Sequence, residues 1–173
     1  MSAEQSLRDA AGAARRLLLR QLGGGSAAIL TTVSPEGRPH ATWMATLGSS
    51  DVREIATITS PDSEKVKNIR ANPRVEWLFT APDRRSVVCV EGSAEIVEDV
   101  AEIKRCWAMI GNKEQAFFLR FFNSAMGFAV VKTTVETAVY GVPAENLKVR
   151  IPVDELNAGR RGDAGGGEEG AKA

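Results

Sequence analysis

The sequence is short of cysteine and histidine, carries no excess charge of either sign and has no long apolar run. Lys plus Arg equals Asp plus Glu at 22 each, and this balance argues against general nucleic-acid binding, which normally shows as a basic excess. No apolar run approaches the roughly 18 to 20 residues that a membrane span needs. The N-terminus also lacks the basic start, apolar centre and cleavage site of a secretory signal. We therefore expect a protein that binds neither nucleic acid nor a membrane.

The two cysteines, Cys89 and Cys106, are far apart in the sequence and lie among apolar residues. Buried free thiols in a reducing compartment are the simplest interpretation, so we expect a cytoplasmic protein. His40 is the only histidine, and no group of Cys, His and Asp has the spacing of metal ligands, so no metal site is expected. No nucleophile stands beside a base in the sequence, and we assign no catalytic residue.

Three regions of the chain differ in composition. Residues 1–25 predict an amphipathic helix, because Ser2 and Gln5 fit a capping box and apolar residues recur at helical spacing. Residues 26–156 are expected to form one folded domain. The tail, 157–173, is rich in Gly, Glu, Arg and Ala and is predicted to be disordered. The apolar stripe of the helix needs a core or a partner chain, and it consists of Leu7, Ala10, Ala11, Ala14, Leu17, Leu18 and Leu22.

The central region reads as short β-strands separated by turns. Gly92 predicts a bulge or bend in the fifth strand, and a break near Thr133 in the sixth is an open alternative. Six strands with few helices indicate a small β-barrel. The predicted strands cover residues 27–33, 38–46, 52–59, 75–81, 86–97 and 127–141, with "LKVRIPV" as a further edge strand.

Two helices are expected between the fifth and sixth strands. Residues 99–110 place four apolar side chains on one face, namely Val100, Ile103, Trp107 and Ile110. Residues 114–122 carry a cluster of phenylalanines, Phe117, Phe118, Phe121 and Phe122. We interpret these aromatic residues as helix packing rather than as a substrate pocket.

The stretch "TSPDSEKVKNIRANPRV" combines a helix start with groups that suit an anion. Ser60 and Pro61 predict the beginning of a helix, and Asn72 and Pro73 predict its end. Backbone N–H groups and the positive end of the helix dipole favour an anion at such a start. Hydroxyl groups and one ammonium lie close by in sequence, on Thr59, Ser60, Ser63 and Lys65. From the residues alone, a capped connector helix with solvated lysines is the favoured explanation.

The same stretch, preceded by "TTVSPEGRPHATWM", resembles the FMN-binding split-barrel superfamily of pyridoxamine 5'-phosphate oxidases, general-stress flavoproteins and deazaflavin-dependent reductases. The similarity covers residues 27–97 and extends more loosely to residue 141. Its most specific parts are "GRPH" and the run from Lys65 to Val75. The resemblance implies a mainly β fold, a six-stranded antiparallel split β-barrel with peripheral helices. It also implies a homodimer with cofactor sites at the interface.

The resemblance also assigns cofactor-binding residues. The second strand would line the isoalloxazine and ribityl parts of FMN, with Trp43 more suited to core packing than to the cofactor. Thr59 and Ser60 would meet the ribityl chain or the phosphate, and Ser63 and Lys65 the phosphate. Ser86 would lie near the flavin ring. The residues of the second strand are His40, Ala41, Thr42, Trp43 and Met44.

The chain departs from the oxidase pattern at three places. Glu64 stands where the oxidases have a phosphate-binding arginine, and His40 aligns with another arginine. The tail has no counterpart of their C-terminal Trp and Arg segments. True pyridoxamine phosphate oxidation is therefore not expected, and the general-stress branch fits better. The resemblance implies an FMN flavoprotein that oxidises or reduces a small molecule with some electron donor. The alternatives are an F420 (deazaflavin)-dependent reductase and a non-catalytic flavin-binding stress protein.

Overall fold

The computed structural model describes residues 2–23, 27–47, 49, 51–108 and 127–158. The described part of the chain forms seven strands and four α-helices, with one 3-10 turn at Pro143–Glu145. In chain order the elements are α1 (Ala3–Gly23), β1 (Ala27–Val33), β2 (Pro39–Ala45), β3 (Glu54–Thr59), α2 (Glu64–Ala71), β4 (Arg74–Thr80), β5 (Val87–Val97), α3 (Val100–Ala108), β6 (Ala129–Val142), β7 (Leu147–Pro152) and α4 (Val153–Ala158).

All the strands belong to one antiparallel sheet with the order β2-β1-β4-β5-β6-β3, and β7 pairs with β6 as a seventh strand. The two ends of this path, β2 and β3, meet through an isolated bridge between Thr46 and Thr57. Beside that bridge the Leu47 N–H donates to the carbonyl of Ala56 at 2.8 Å. The sheet therefore curves into a barrel that stays split between β2 and β3. This confirms the mainly β split barrel with peripheral helices, and β7 is the expected edge strand.

In β1, β4 and most of β5, every second residue is buried in the barrel interior. In β4, Val75, Trp77 and Phe79 are buried while the residues between them face outward. Successive side chains of a strand point to opposite faces, so this alternation separates an inner and an outer face. The indole N–H of Trp77 donates to the hydroxyl of Thr133 at 3.0 Å inside the core.

Helix α1 closes one side of the barrel core. The expected apolar stripe is buried from Ala10 to Leu22, and Leu7 packs against the same cluster. The helix lies against α4 and strands β4 to β7, and the hydroxyl of Ser2 accepts a hydrogen bond from the Gln5 N–H at 3.2 Å. The amphipathic helix is thus confirmed over Ala3–Gly23, and its stripe is covered by the chain's own core.

Gly92 lies opposite a bulge, although the extra residue stands in β6 and not, as predicted, in the fifth strand. The pairing of β5 with β6 shifts register between Glu91 and Gly92, so that Glu136 is an extra residue in β6. A Cβ on Gly92 would lie 2.2 Å from the carbonyl oxygen of Thr134. Only glycine permits so close an approach of the two backbones. Because β6 accommodates the irregularity as a bulge, it continues through Thr133 unbroken, and the alternative of a broken strand is wrong.

Two predictions need correction, and a third set falls outside the described residues. Val100 was expected on the packed face of α3, yet it begins the helix and is 62% exposed, while Ile103 and Trp107 pack against a small core cluster. Asn157 and Ala158 belong to α4 rather than to the tail, and the Asn157 side chain donates to the carbonyl of Val153 at 2.9 Å. Ile110, the phenylalanine cluster of 114–122 and the tail beyond residue 158 lie outside the described residues.

Candidate functional site

Helix α2 begins three residues later than the sequence suggested. Ser63 is its N-cap, and the Ser63 carbonyl accepts hydrogen bonds from the N–H groups of Val66 and Lys67 at 3.1 and 3.2 Å. The proposed Ser60-Pro61 helix start is wrong, because the Ser60 carbonyl accepts the Ser63 N–H at 3.2 Å and so closes a turn. The turn places the first free N–H groups of the helix at Glu64 and Lys65, since the first residues of a helix have no intrahelical acceptor.

Three of the predicted phosphate-binding residues meet at this helix start. The ammonium of Lys65 lies 3.3 Å from Thr59 Oγ1 and donates to it, and Thr59 Oγ1 lies 3.4 Å from Ser63 Oγ. Thr59 is buried at the end of β3, whereas the Ser63 hydroxyl makes no capping bond to the helix. The result is one ammonium and two hydroxyls in a row, which we call the Lys65 cluster.

Burial lowers the pKa of Lys65 below its ordinary value, and desolvation is the only cause. Among the described residues, no carboxylate makes an ion pair with this ammonium. A half-buried cation without a counter-ion is poised to accept an anion, because a neighbouring negative charge repays part of the lost hydration.

Ser60 does not join the Lys65 cluster. Its hydroxyl donates to the carboxylate of Asp62, and this bond, followed by the residue's own backbone N–H, lowers the pKa of Asp62. The exposed Asp62 and Glu64 therefore bring two negative charges to the helix start. An anion bound there must approach from the side of Lys65, Ser63 and Thr59.

The side chains of β2 alternate between the barrel interior and the outer surface. Thr42 and Met44 face inward together with His40, whereas Ala41 and Trp43 face outward. Trp43 is 73% exposed, so its expected role in core packing is wrong. The pleat causes this, because burying Thr42 and Met44 leaves the residue between them on the outer face. Met44 is 8% exposed and packs in the main core, which leaves little of it open to a ligand.

Two predicted β2 residues carry buried polar atoms that have no hydrogen-bond partner, His40 Nδ1 and Thr42 Oγ1. A third such atom is Oδ1 of Asn68 on α2, whose Nδ2 donates to Thr32 Oγ1 at 3.0 Å. Sequence reasoning missed Asn68 and Thr32. Thr32 was detectable from the alternation of β1, which buries it with Ala28 and Leu30, whereas nothing in the sequence pairs it with a residue 36 positions away.

Ser86 lies away from the other predicted residues within one chain. It precedes Val87, which pairs with Thr80 at the far end of β4 from Arg74. Thr59 of the Lys65 cluster lies at the opposite end of the sheet, because its partner Ala129 precedes Val130, which pairs with Val97 at the other end of β5 from Val87. The 11 residues of β5, at about 3.3 Å each, separate the two ends by about 30 Å. Within one chain, Ser86 is therefore not brought to the Lys65 cluster.

A groove of about 350 Å³ lies on the outer face of the sheet beside the β6 bulge. Its charged lining is largely paired internally, since Arg74 Nη1 lies 2.7 Å from Glu136 Oε1. None of the predicted cofactor residues lines this groove, whose walls include Thr31, Val33, Glu76 and Glu91.

The described ranges contain no group of three His, Cys, Asp or Glu side chains that could hold a metal ion. Burial is the main cause that raises the pKa of both free thiols, Cys89 and Cys106. Both therefore react slowly as nucleophiles, because the thiolate is the reactive form. None of the described helices is long and apolar enough to cross a bilayer.

Solved structures with the same fold include three informative neighbours. A protein from Clostridium acetobutylicum related to general stress protein 26 shares 13% identity, with a TM-score of 0.69 and coverage of 86% of this chain and 98% of that one. A pyridoxamine 5'-phosphate oxidase-related, FMN-binding protein from Nostoc punctiforme shares 16% identity, with a TM-score of 0.58 and coverage of 87% and 90%. A heme-binding protein from Mycobacterium smegmatis shares 18% identity, with a TM-score of 0.65 and coverage of 86% and 60%.

Similarity at these levels of identity shows the fold alone. A search of curated proteins found no match. The model of the pyridoxamine 5'-phosphate oxidase family, however, matches residues 18–140. That range takes in β1 to β5, helix α2 and nearly all of β6, together with every predicted cofactor residue. The chain therefore belongs to the pyridoxamine 5'-phosphate oxidase family.

Proposed function

We propose that this protein binds FMN and uses it as an oxidoreductase acting on a small molecule. The observation that carries the proposal is the Lys65 cluster, a half-buried ammonium with two hydroxyls at a helix start. Phosphate groups bind at such positions because backbone N–H groups, the helix dipole and the cation act together. The FMN-binding relative from Nostoc punctiforme supports the choice of flavin.

The residues present fit FMN in two further respects. The Ser63 hydroxyl is not used as a helix cap and remains available to a phosphate oxygen. The inner face of β2 presents unpaired polar atoms on His40 and Thr42. In this assignment Lys65, Ser63 and Thr59 hold the phosphate end, and the flavin supplies the hydride or electron transfer. Ser60 contributes its backbone, because its hydroxyl is engaged by Asp62.

A homodimer is part of the proposal. Five side chains form a continuous row across the outer face of the sheet, because each is the direct cross-strand partner of the next. The row runs through Trp43, Ile29, Leu78, Cys89 and Val139, and its first member is among the most exposed apolar residues described. A second copy covering this row would remove it from water. The two free thiols agree with a cytoplasmic location.

Two alternatives share the same anion site. F420 also carries a phosphate, and the exposed pair Arg84 and Arg85 beside β5 suits its acidic tail. A non-catalytic flavin-binding protein related to the stress proteins would bind FMN without oxidising a reduced nicotinamide.

The test is the absorption spectrum of the purified protein, followed by titration of FMN and F420 into the wild type and two variants. Lys65→Ala removes the cluster cation, and Lys67→Ala removes an exposed lysine of the same helix as a matched control. We expect FMN binding that falls at least tenfold in Lys65→Ala and stays unchanged in Lys67→Ala. Binding of F420 without FMN would favour the deazaflavin-dependent reductase. Oxidation of NAD(P)H by the FMN-loaded protein would show an enzyme, and its absence would favour a non-catalytic flavin-binding protein. A wild type that binds neither cofactor would refute the proposal.

A further inference from the structure

Asn68 connects helix α2 to the barrel through a buried hydrogen bond between two side chains. Its Nδ2 donates to Thr32 Oγ1 on β1 at 3.0 Å, and both residues are almost completely buried. The hydroxyl of Thr32 in turn lies 3.5 Å from the carbonyl oxygen of His40 on β2. A short chain of polar contacts therefore runs from α2 through β1 to β2.

Asn68 is the polar member of the three buried side chains of α2, beside Val66 and Ile69. Apolar burial is non-directional, so Val66 and Ile69 hold the helix on the barrel without fixing its rotation closely. A hydrogen bond is directional, because it weakens steeply when its angle departs from linearity. The bond from Asn68 to Thr32 is therefore suited to set the rotation of α2 about its own axis.

The rotation of α2 decides where the ammonium of Lys65 lies. Lys65 stands three residues before Asn68, and residues at this spacing project from neighbouring positions of a helix. With its side chains an α-helix is about 10–12 Å across, so a rotation of about 10° would displace a side-chain end by about 1 Å. Lys65 lies 3.3 Å from Thr59 Oγ1, and a hydrogen bond is lost at about 3.6 Å. The Lys65 cluster thus depends on a precisely held helix.

We propose that Asn68 is a positioning residue of the anion site, which through its bond to Thr32 holds α2 in the rotation that brings Lys65 and the first helix N–H groups to one phosphate. The inference rests on the proposed function, because the phosphate meant is that of FMN. Asn68 does not touch the ligand, and its effect passes through Lys65. A purely structural Asn68 would instead stabilise the fold and affect every flavin equally.

The test compares FMN with riboflavin, which differs from it only by lacking the phosphate. We expect Asn68→Leu to weaken FMN about three- to tenfold, the equivalent of one hydrogen bond, and to leave riboflavin unchanged. Thr32→Val removes the same bond and should have the same effect, and it carries the comparison if Asn68→Leu does not fold. Thr32→Ser keeps the hydroxyl and should bind FMN as the wild type does. Ile69→Val, the matched control, trims an apolar contact of the same helix and should leave the ratio of the two affinities unchanged.

Two combined variants separate positioning from stability. Asn68→Leu with Thr32→Val replaces both partners by apolar groups of similar shape, a change that is nearly neutral for stability. The melting temperature of the ligand-free protein should therefore stay close to that of the wild type while FMN binding is weakened. In a Lys65→Ala background, Asn68→Leu should weaken FMN no further, because residues that act through one another are not additive.

Three outcomes would overturn the inference while FMN binding by the wild type upholds the proposed function. They are equal losses for FMN and riboflavin in the single variants, undiminished FMN binding in the variant that lacks both partners, and a further loss of FMN in the Lys65→Ala background. A wild type that does not bind FMN would overturn both the inference and the proposed function.

Discussion

The ammonium of Lys65 and the hydroxyl of Thr59 form a hydrogen bond of 3.3 Å in which the lysine is the donor. Burial holds the pKa of this lysine below its ordinary value, and a bound phosphate would raise it again by supplying an opposite charge. FMN affinity should therefore be highest at pH values where Lys65 is protonated in the free protein. It should fall as the pH rises through the lowered pKa.

Isothermal titration with FMN at a series of pH values measures this dependence, and riboflavin is the control because it lacks the phosphate. Identical pH profiles for the two flavins would contradict the assignment of Lys65 to the phosphate.

The same lysine should influence the stability of the ligand-free protein. Its pKa is lower in the folded than in the unfolded state, so the unfolded chain binds the proton more tightly. The free energy of unfolding should then rise with pH from the lowered pKa up to the unfolded value near 10.5. Lys65→Met should abolish this rise and should stabilise the free protein at neutral pH while it weakens FMN. Urea unfolding of both proteins across that range measures the effect, and parallel curves would argue against a desolvated lysine.

Gly92→Ala should destabilise the barrel. The new Cβ would lie 2.2 Å from the backbone carbonyl of Thr134, so the β6 bulge would have to move. We expect a loss of about 1–3 kcal/mol in the free energy of unfolding, the usual range for overpacking. Gly23→Ala, where a Cβ would meet no atom within 4 Å, should change it by less than about 0.5 kcal/mol. Equal unfolding midpoints for the two variants would refute the close approach at Gly92.

Thr133→Val should lower the free energy of unfolding, because it leaves the buried indole N–H of Trp77 without an acceptor. The variant keeps the shape of the side chain but removes the acceptor of the Trp77 N–H, which is 3.0 Å away. Since both side chains are fully buried, we expect a loss of about 1–3 kcal/mol. The neighbouring Thr134→Val changes the same residue type at an exposed position and serves as the control. Chemical denaturation monitored by tryptophan fluorescence distinguishes them, and a neutral Thr133→Val would show that the indole finds another partner.

Leu78→Lys should weaken the proposed homodimer. Leu78 occupies the middle of the outer apolar row, between Ile29 and Cys89, and a desolvated charge there is costly to bury. Sedimentation equilibrium should show a dimer dissociation constant raised at least tenfold, with the monomer still folded. Val100→Lys places the same charge on another exposed apolar residue and should leave the dimer intact. A monomeric wild type would refute the use of this surface.

Much of the fold was predictable because its determinants are local. The alternation of buried and exposed residues in β4 follows directly from the sequence pattern. Gly92 indicates an irregularity in the pairing because a glycine inside a strand permits a close approach of two backbones. The start of α2 was misplaced because Ser60 and Pro61 have the composition of a helix cap, although the Ser60 carbonyl closes a turn instead.

The side of β2 on which Trp43 lies could not be read from its neighbours. Its two faces are nearly equally apolar, since Thr42 and Met44 alternate with Ala41 and Trp43. The preference of a large aromatic side chain for the core then predicts the wrong face for Trp43. The choice is made by long-range pairing, because β1 fixes which residues of β2 share a face with Leu30. For the same reason the bond between Asn68 and Thr32 has no signature in either segment alone.

The single bridge between Thr46 and Thr57 has a consequence for hydrogen exchange. The β1–β2 hairpin joins the rest of the sheet through three residue pairs with β4 and this bridge, whereas β5 and β6 pair along eleven residues of β5. Few anchoring bonds make a segment open locally at low free energy, so the amide protons of the hairpin exchange with solvent before those of β5 and β6. A ligand that bridges β2 and α2 fastens this loosely held hairpin to the barrel, and its binding is then recorded as slowed exchange along the whole of β1 and β2.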